Sequence, residues 1–155
     1  MANKSSGRES ALKQIENQWQ QLLASVNALP QEDLPRPGAV GHWSVRDMIG
    51  HVATWDRELA MVVDRYISSG EKTDYGNDET VNSSNEAEVQ RQQGLTLGQL
   101  WEEVHQCHRE LVEYLQGLSE EPFDPATYSG EWIATDSWGH YREHRQDIER
   151  WIAGH

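Results

Sequence analysis

Three histidines have the residue type and the spacing that could bind a metal ion. His140 and His144 are four residues apart, so on a helix their side chains lie one above the other on one face. Two imidazoles placed in this way can reach the same ion, and His51, from another predicted helix, would complete three nitrogen ligands. Such a set leaves positions open for water or substrate, and a divalent ion held there could activate a nucleophile.

Other residues could carry chemistry, but each has a simpler interpretation. His105 and His108 are three residues apart and could bind a metal, although we favour a structural or pocket-lining role. Cys107 lies in an apolar stripe, where cysteine is usually an inert small hydrophobe, so we do not expect it to act as a nucleophile. The charged neighbours Arg142 and Glu143 keep open the alternative that the pair on the last helix only forms a solvated face.

The elements that must position these histidines are helices. Apolar residues recur at intervals of three and four in four segments, and no segment has a convincing strand pattern. We predict a first helix over residues 9–28, a second after the N-cap Ser44 that ends at Gly70, and a third after the N-cap Thr96. The fourth is predicted to begin at Thr135 or Asp136 and to run to about residue 153. This pattern predicts an all-α, antiparallel four-helix bundle.

The segments between the predicted helices differ in length. Residues 71–84 are polar and predict a long loop, followed by a short helix over residues 85–93. This long connection between the second and third helices indicates a crossover rather than a tight hairpin. Residues 126–134 are predicted to form another loop.

Composition predicts one domain over residues 1–155, with residues 1–8 as a disordered N-terminus. Only 36% of the residues are hydrophobic, so we expect a narrow core in which some of the seven tryptophans replace aliphatic side chains. The single cysteine permits no intramolecular disulfide, which fits a reducing compartment. No stretch approaches the roughly 20 apolar residues of a membrane span. We therefore expect a cytoplasmic protein without a membrane partner.

The charge of the chain is strongly negative. Asp and Glu number 26 and Lys and Arg number 13, which gives a formal net charge of −13. Such a chain should be repelled by phosphate backbones and anionic lipid, and it has no basic run. We therefore expect a small-molecule substrate and no nucleic-acid partner.

Three segments of the chain resemble the DinB/YfiT-like superfamily of four-helix-bundle proteins, many of which are proposed to be metalloenzymes. Residues 43–55 (WSVRDMIGHVATW) resemble the start of the second helix, which carries the first metal histidine in that family. Residues 85–91 resemble its Asn-containing central segment, and residues 140–151 resemble its closing helix with a His-x-x-x-His pair. The three segments occur in the family's order, and their combination is closest to the ClbS/DfsB-like branch.

This resemblance implies metal ligation by His51, His140 and His144, with nickel, zinc or iron as the ion. Some relatives are thiol-dependent transferases or isomerases, and the ClbS-like branch is linked to hydrolytic opening of a reactive electrophile. Our first hypothesis is therefore a metal-dependent hydrolase or thiol S-transferase that acts on a small electrophile, with a low-molecular-weight thiol as a possible cofactor.

In this hypothesis, Trp55, Asn85 and Tyr141 line the substrate pocket. Related proteins commonly pair, so we also expect a homodimer. The alternatives are a metal-binding or stress-response protein without catalysis, and a purely structural bundle whose histidines satisfy one another. The sequence assigns no catalytic residue beyond the predicted metal ligands.

Overall fold

The computed structural model describes residues 7–154, which form an all-helical structure. Its α-helices are α1 (Gly7–Asn27), α2 (Val45–Ser69), α3 (Asp78–Gln92), α4 (Leu97–Gln116), α5 (Tyr128–Asp136) and α6 (Trp138–Ala153). Single 3-10 turns cover Gln31–Asp33 and Glu121–Phe123. In the described residues, no helix has the length and apolar character needed to cross a membrane.

The four long helices α1, α2, α4 and α6 form the predicted four-helix bundle. α2 packs chiefly against α4, and α1 packs chiefly against α6. Near the start of both helices, Ile49 of α2 and Trp101 of α4 line the same apolar pocket. Near the end of both helices, Asp64 of α2 accepts a hydrogen bond from Tyr114 of α4. α2 and α4 therefore run in the same direction. The connection between them is a crossover, as predicted, and the antiparallel relation holds between α1 and α2.

The apolar stripes predicted from sequence become the core. In α1, the buried residues Ile15, Trp19, Leu22 and Val26 recur at intervals of three and four. The strongest local signals for helix boundaries are also present. Ser44 accepts a hydrogen bond from the backbone N–H of Asp47 at 3.0 Å, which is half of a capping box, and Gly70 ends α2 with a φ of 74°.

Two connections are more helical than the sequence patterns predict. The predicted loop 71–84 ends early because α3 begins at Asp78, after the N-cap Asn77, and the predicted loop 126–134 contains α5, after the N-cap Thr127. α6 begins after Ser137 rather than at the predicted caps one or two residues earlier. Capping and packing support α3 and α5, whose sequences carry almost no apolar periodicity, so a search for apolar stripes does not find them.

The predicted disordered segment 1–8 falls mostly outside the described residues. Gly7 and Arg8, however, already belong to α1. The Arg8 guanidinium donates to the backbone carbonyl of Leu118 at 3.0 Å, which ties this end of α1 to the end of α4. For these two residues the prediction of disorder is wrong, because the arginine finds carbonyl acceptors beyond the last turn of α4.

Candidate metal centre

Local structure in α2 fixes the position of His51. The capping box sets the start of the helix, and His51 lies in its second turn, buried between neighbouring helices. The preceding Gly50 lets α3 approach closely: the Gln92 side chain donates to the Gly50 carbonyl at 2.9 Å, and a Cβ at position 50 would collide with it. The ring of Trp43 packs against the His51 imidazole with centroids 4.9 Å apart.

The bundle brings His51, His140 and His144 together in a group that we call the histidine triad. The Nε2 atoms of His51 and His140 are 3.2 Å apart, and those of His140 and His144 are 2.9 Å apart. The three potential ligand atoms all lie within 4.8 Å of one another. The rings are between 6% and 8% exposed, so the triad is buried but not sealed. The sequence prediction that these three residues meet agrees with this geometry.

The donor atoms of the triad fit a bound metal ion better than they fit one another. The His144 Nδ1 lies 3.1 Å from Asp147 Oδ2, so it carries the ring proton and leaves a lone pair on Nε2. His140 Nε2 is close to both other Nε2 atoms but can donate at most one proton. Three nitrogens bound tetrahedrally at about 2.1 Å would lie about 3.4 Å apart, near the observed separations. The triad could therefore bind a divalent metal ion.

Burial favours the neutral form of all three imidazoles, which is the form that binds metals. Desolvation, aided by the nearby His144, lowers the pKa of His51 to about 3. Desolvation also lowers the pKa of His140 well below its ordinary value, with further contributions from the other two rings. For His144, desolvation lowers the pKa, while Asp147 and Glu143 oppose the shift. The lone pairs are therefore available at neutral pH.

The Asp147 carboxylate contacts the triad at the ring nitrogen of His144 that faces away from the other two histidines. Asp147 lies one turn after His144 on α6, accepts from its Nδ1, and also pairs with Arg150. Carboxylates in this position fix the tautomer and orientation of ligating histidines. His140 Nδ1, in contrast, is buried without a hydrogen-bond partner.

The packing of α2 on α3 brings together Trp55 and Asn85, two of the predicted pocket residues. The Trp55 indole N–H donates to Asn85 Oδ1 at 2.8 Å, and both side chains line a cavity of about 340 Å³. Trp55 lies one helical turn after His51 on the same face of α2, and the triad residues themselves do not line the cavity.

Tyr141, the third proposed pocket residue, lies in the core and does not line this cavity. Its hydroxyl donates to Asp56 Oδ1 at 2.7 Å and lies 3.0 Å from His108 Nδ1. Tyr141 and Asp56 are completely buried, and His108 stacks on Trp19 at a centroid distance of 3.9 Å. We call Asp56, His108 and Tyr141 the buried network.

The remaining candidates have structural surroundings. His105 stacks on Trp101 and lines a separate cavity of about 440 Å³. Since His108 belongs to the buried network, these positions match the structural and pocket-lining roles favoured from sequence. Cys107 is buried, and desolvation raises the pKa of its thiol to about 11, which disfavours the nucleophilic thiolate.

Sequence reasoning missed several residues around the triad. Asp147 could have been found, because it follows His144 by three residues and so lies on the same helix face. Beside His51, the Trp43 indole N–H donates to the Glu86 carboxylate at 3.0 Å. No sequence spacing predicts this pair. Their meeting depends on how α3 packs against the segment before α2.

The fold and the histidine triad are those of a DinB-like protein. A family model, the mycothiol maleylpyruvate isomerase N-terminal domain, matches residues 15–152, and the chain belongs to this family. No curated protein matches the sequence at a significant level.

Solved structures share the fold over nearly the whole chain. DfsB, described as a sibling lethal factor precursor, is 16% identical with a TM-score of 0.78 and covers 98% of each chain. An uncharacterised protein from Escherichia coli UTI89 is 15% identical with a TM-score of 0.79, covering 97% of this chain and 95% of its own. The colibactin self-resistance protein ClbS, solved in complex with a dsDNA, is 15% identical with a TM-score of 0.77 and covers 96% of each.

The ClbS complex overturns one expectation from the sequence. We excluded a nucleic-acid partner because of the net charge of −13. A protein with this fold is nevertheless in complex with dsDNA, so the exclusion is wrong. The physical reason is that net charge describes the field of the whole molecule, whereas a contact with DNA depends on the local arrangement of charges.

Proposed function

We propose that this protein is a metal-dependent enzyme that acts on a small electrophilic molecule by hydrolysis or thiol transfer. One observation carries the proposal: three neutral imidazoles from α2 and α6 converge with their Nε2 atoms on one point. Three nitrogen ligands with open positions are typical of catalytic rather than closed structural metal sites.

The ion proposed for the triad is nickel, zinc or iron, each of which accepts imidazole ligands. Such an ion would supply Lewis acidity, either to water or to the sulfur of a low-molecular-weight thiol. The protein contributes orientation and exclusion of water. Asp147 holds the tautomer of His144, and the Trp43 ring covers one side of His51.

A second candidate function is metal binding without catalysis, as in a stress-response protein. The small exposure of the three rings favours it, because a substrate must reach the ion through a narrow opening. The dsDNA in the ClbS structure also makes nucleic acid a partner to test for this chain. A cytoplasmic location and a homodimer remain predictions.

The test combines metal loading with a substrate panel. The protein is loaded separately with nickel, zinc and iron, and is then screened against epoxides, cyclopropanes and maleyl or chlorinated electrophiles, with and without low-molecular-weight thiols. The same panel is repeated with dsDNA present. We expect turnover by one metal form that is lost in His144→Ala and kept in His42→Ala, whose ring lies outside the triad.

The outcomes separate the two candidate functions. If a metal binds stoichiometrically but no form turns over any compound on the panel, the binding protein becomes the better account. If no metal binds, both candidates fail.

A further inference from the structure

The cavity beside Trp55 has an aromatic wall that is held rigidly. Trp55 and Tyr75 line it with ring centroids 5.3 Å apart, and Trp132 stacks on Trp55 at 6.4 Å with an interplanar angle of 21°. The hydrogen bond from Trp55 to Asn85 fixes the indole. Two aromatic side chains therefore form part of the lining of the cavity of about 340 Å³, which we call the Trp55 cavity.

The Trp55 cavity also carries one carboxylate that no cation neutralises. Glu58 accepts a hydrogen bond from the Tyr75 hydroxyl at 2.9 Å, and no described Lys or Arg lies within ion-pairing distance of it. The other charged residues of the lining, Arg57 and Glu88, pair with each other at 3.5 Å, and Glu88 also pairs with Arg91, whose charge is shared with Glu103. The lining therefore has an excess of negative charge next to its aromatic wall.

The surroundings of Tyr75 agree with this negative environment. The pKa of the Tyr75 hydroxyl is raised, first by desolvation and then by its hydrogen bond to Glu58 and the charges of Glu58 and Asp136, while Arg65 opposes the shift. Of these two acidic groups, Glu58 lines the cavity, and Asp136 acts on the Tyr75 hydroxyl from outside the lining. The lining also includes the polar side chains of Ser84 and Asn85, and Asn85 Oδ1 already accepts the Trp55 indole N–H.

We propose that the Trp55 cavity binds a small organic cation, a protonated amine or a quaternary ammonium group attached to an apolar body. Aromatic faces attract cations, and a partly buried carboxylate strengthens that attraction. The cavity volume lies at the lower end of the range for small-molecule sites, which limits the ligand to a compact molecule. An anion would face the Glu58 carboxylate, and the one arginine of the lining, Arg57, is already paired with Glu88.

The position of the cavity suggests what the cation is for. Trp55 lies one turn after His51 on the same face of α2, so a bound molecule could extend from the cavity toward the triad. The cation would then be the anchoring group of the electrophilic substrate, and this step alone rests on the proposed function. Binding of the cation itself requires no metal.

The test uses phenethylamine, 2-phenylethanol and 3-phenylpropionate as cationic, neutral and anionic probes of similar size. Binding to ¹⁵N-labelled full-length protein at pH 7 is followed by NMR through the Trp55 indole N–H, which Trp55→Phe identifies. We expect phenethylamine to shift this signal and to bind about tenfold more tightly than 2-phenylethanol, with 3-phenylpropionate weakest. The titration is run with chelator and again after metal loading.

A matched pair of variants separates the cavity from the overall negative charge. Glu58→Gln should weaken phenethylamine binding about fivefold or more and leave 2-phenylethanol unaffected. Glu113→Gln removes the same charge from an exposed site on α4 and should change binding less than about twofold. Equal binding of the cationic and neutral probes by the unaltered protein, or equal effects of the two variants, would overturn the proposal.

The two proposals can fail separately. Phenethylamine binding to chelator-treated protein supports the cation site even if the triad takes up no metal. Metal uptake and turnover without any shift of the Trp55 signal would leave the enzyme proposal standing and reject the cation site.

Discussion

The histidine triad and the buried network are both polar clusters that join α6 to α2, and the buried network also includes His108 from α4. Each contains buried polar atoms without a hydrogen-bond partner, namely His140 Nδ1 in the triad and Asp56 Oδ2 and His108 Nε2 in the network, but the atoms at their centres differ. In the buried network, the Tyr141 hydroxyl lies between Asp56 and His108, and it donates a hydrogen bond to the Asp56 carboxylate. In the triad, three imidazole nitrogens face one another and no carboxylate lies between them. Neighbouring residues on one helix can therefore differ in role. Tyr141 is a buried core residue, while the His140 Nε2 atom faces two other imidazole nitrogens at a position that suits a metal cation.

This contrast predicts that the two clusters respond to different perturbations. Changes in the network should lower the free energy of unfolding and leave metal affinity nearly unchanged. At neutral pH, substitutions in the triad should lower metal affinity and change the stability of the metal-free protein little.

The largest effect on stability is expected from Asp56→Ala. The substitution leaves the Tyr141 hydroxyl in the core without its acceptor and removes the carboxylate near the His108 ring, and it should lower the free energy of unfolding by about 3 kcal/mol. Urea denaturation of metal-free protein measures this loss. The folded fraction should still bind one metal ion per chain; loss of metal binding by well-folded protein would show that the two clusters are not independent.

Acidification should destabilise the metal-free protein through the triad. The folded-state pKa values of His51, His140 and His144 are lowered, so the unfolded chain binds more protons once the pH falls below about 6.5. Stability is therefore present above that pH and falls below it, by up to about 1.4 kcal/mol per pH unit for each group. For His51, whose pKa is lowered to about 3, this loss of stability continues as the pH falls to about 3.

Thermal unfolding between pH 7 and pH 5 measures this slope. His51→Gln should reduce it, whereas His42→Gln, which changes an exposed ring, should leave it unaltered. An identical slope in both variants would mean that groups outside the triad cause the acid sensitivity.

Asp147→Asn should weaken metal binding without removing a ligand. The amide is a poorer acceptor for His144 Nδ1, and loss of such supporting partners typically costs about 10–100-fold in metal affinity. Competition with a chromophoric chelator measures the change. Glu149→Gln serves as the control, because Glu149 pairs with Arg145 on the outside of the same helix; an equal loss in both would point to general electrostatics.

The smallest effect in this series is expected from Tyr141→Phe. Removing the hydroxyl leaves Asp56 Oδ1 without its 2.7 Å donor and should cost about 1–2 kcal/mol of stability. Tyr114→Phe removes a hydroxyl that binds Asp64 at the surface and should cost less than about 0.5 kcal/mol. If the two variants were equally stable, the network would contribute nothing beyond packing.

The sequence predicts the parts of this structure that depend on periodicity and capping. The four long helices follow from apolar spacing, and the boundaries at Ser44, Gly70 and Thr96 follow from local chemistry that needs no tertiary information. The pairing of His140 with His144 follows from helix geometry alone. That residues 1–155 form one domain stays a prediction.

The features that the sequence did not predict depend on tertiary packing. α3 and α5 carry little apolar periodicity, and contact with α2 stabilises them. The meeting of Asp56 with Tyr141 joins residues 85 positions apart, and no spacing rule links them. The same holds for Trp43 and Glu86 beside His51.

The central claim is that His51, His140 and His144 together bind one metal ion. A crystal of the full chain grown with nickel or zinc, with data collected at the absorption edge of that metal, tests it most directly. We expect one anomalous peak about 2.1 Å from the Nε2 atoms of all three residues. A peak at His42 and Glu86 or at His105 instead, with none at the triad, would contradict it.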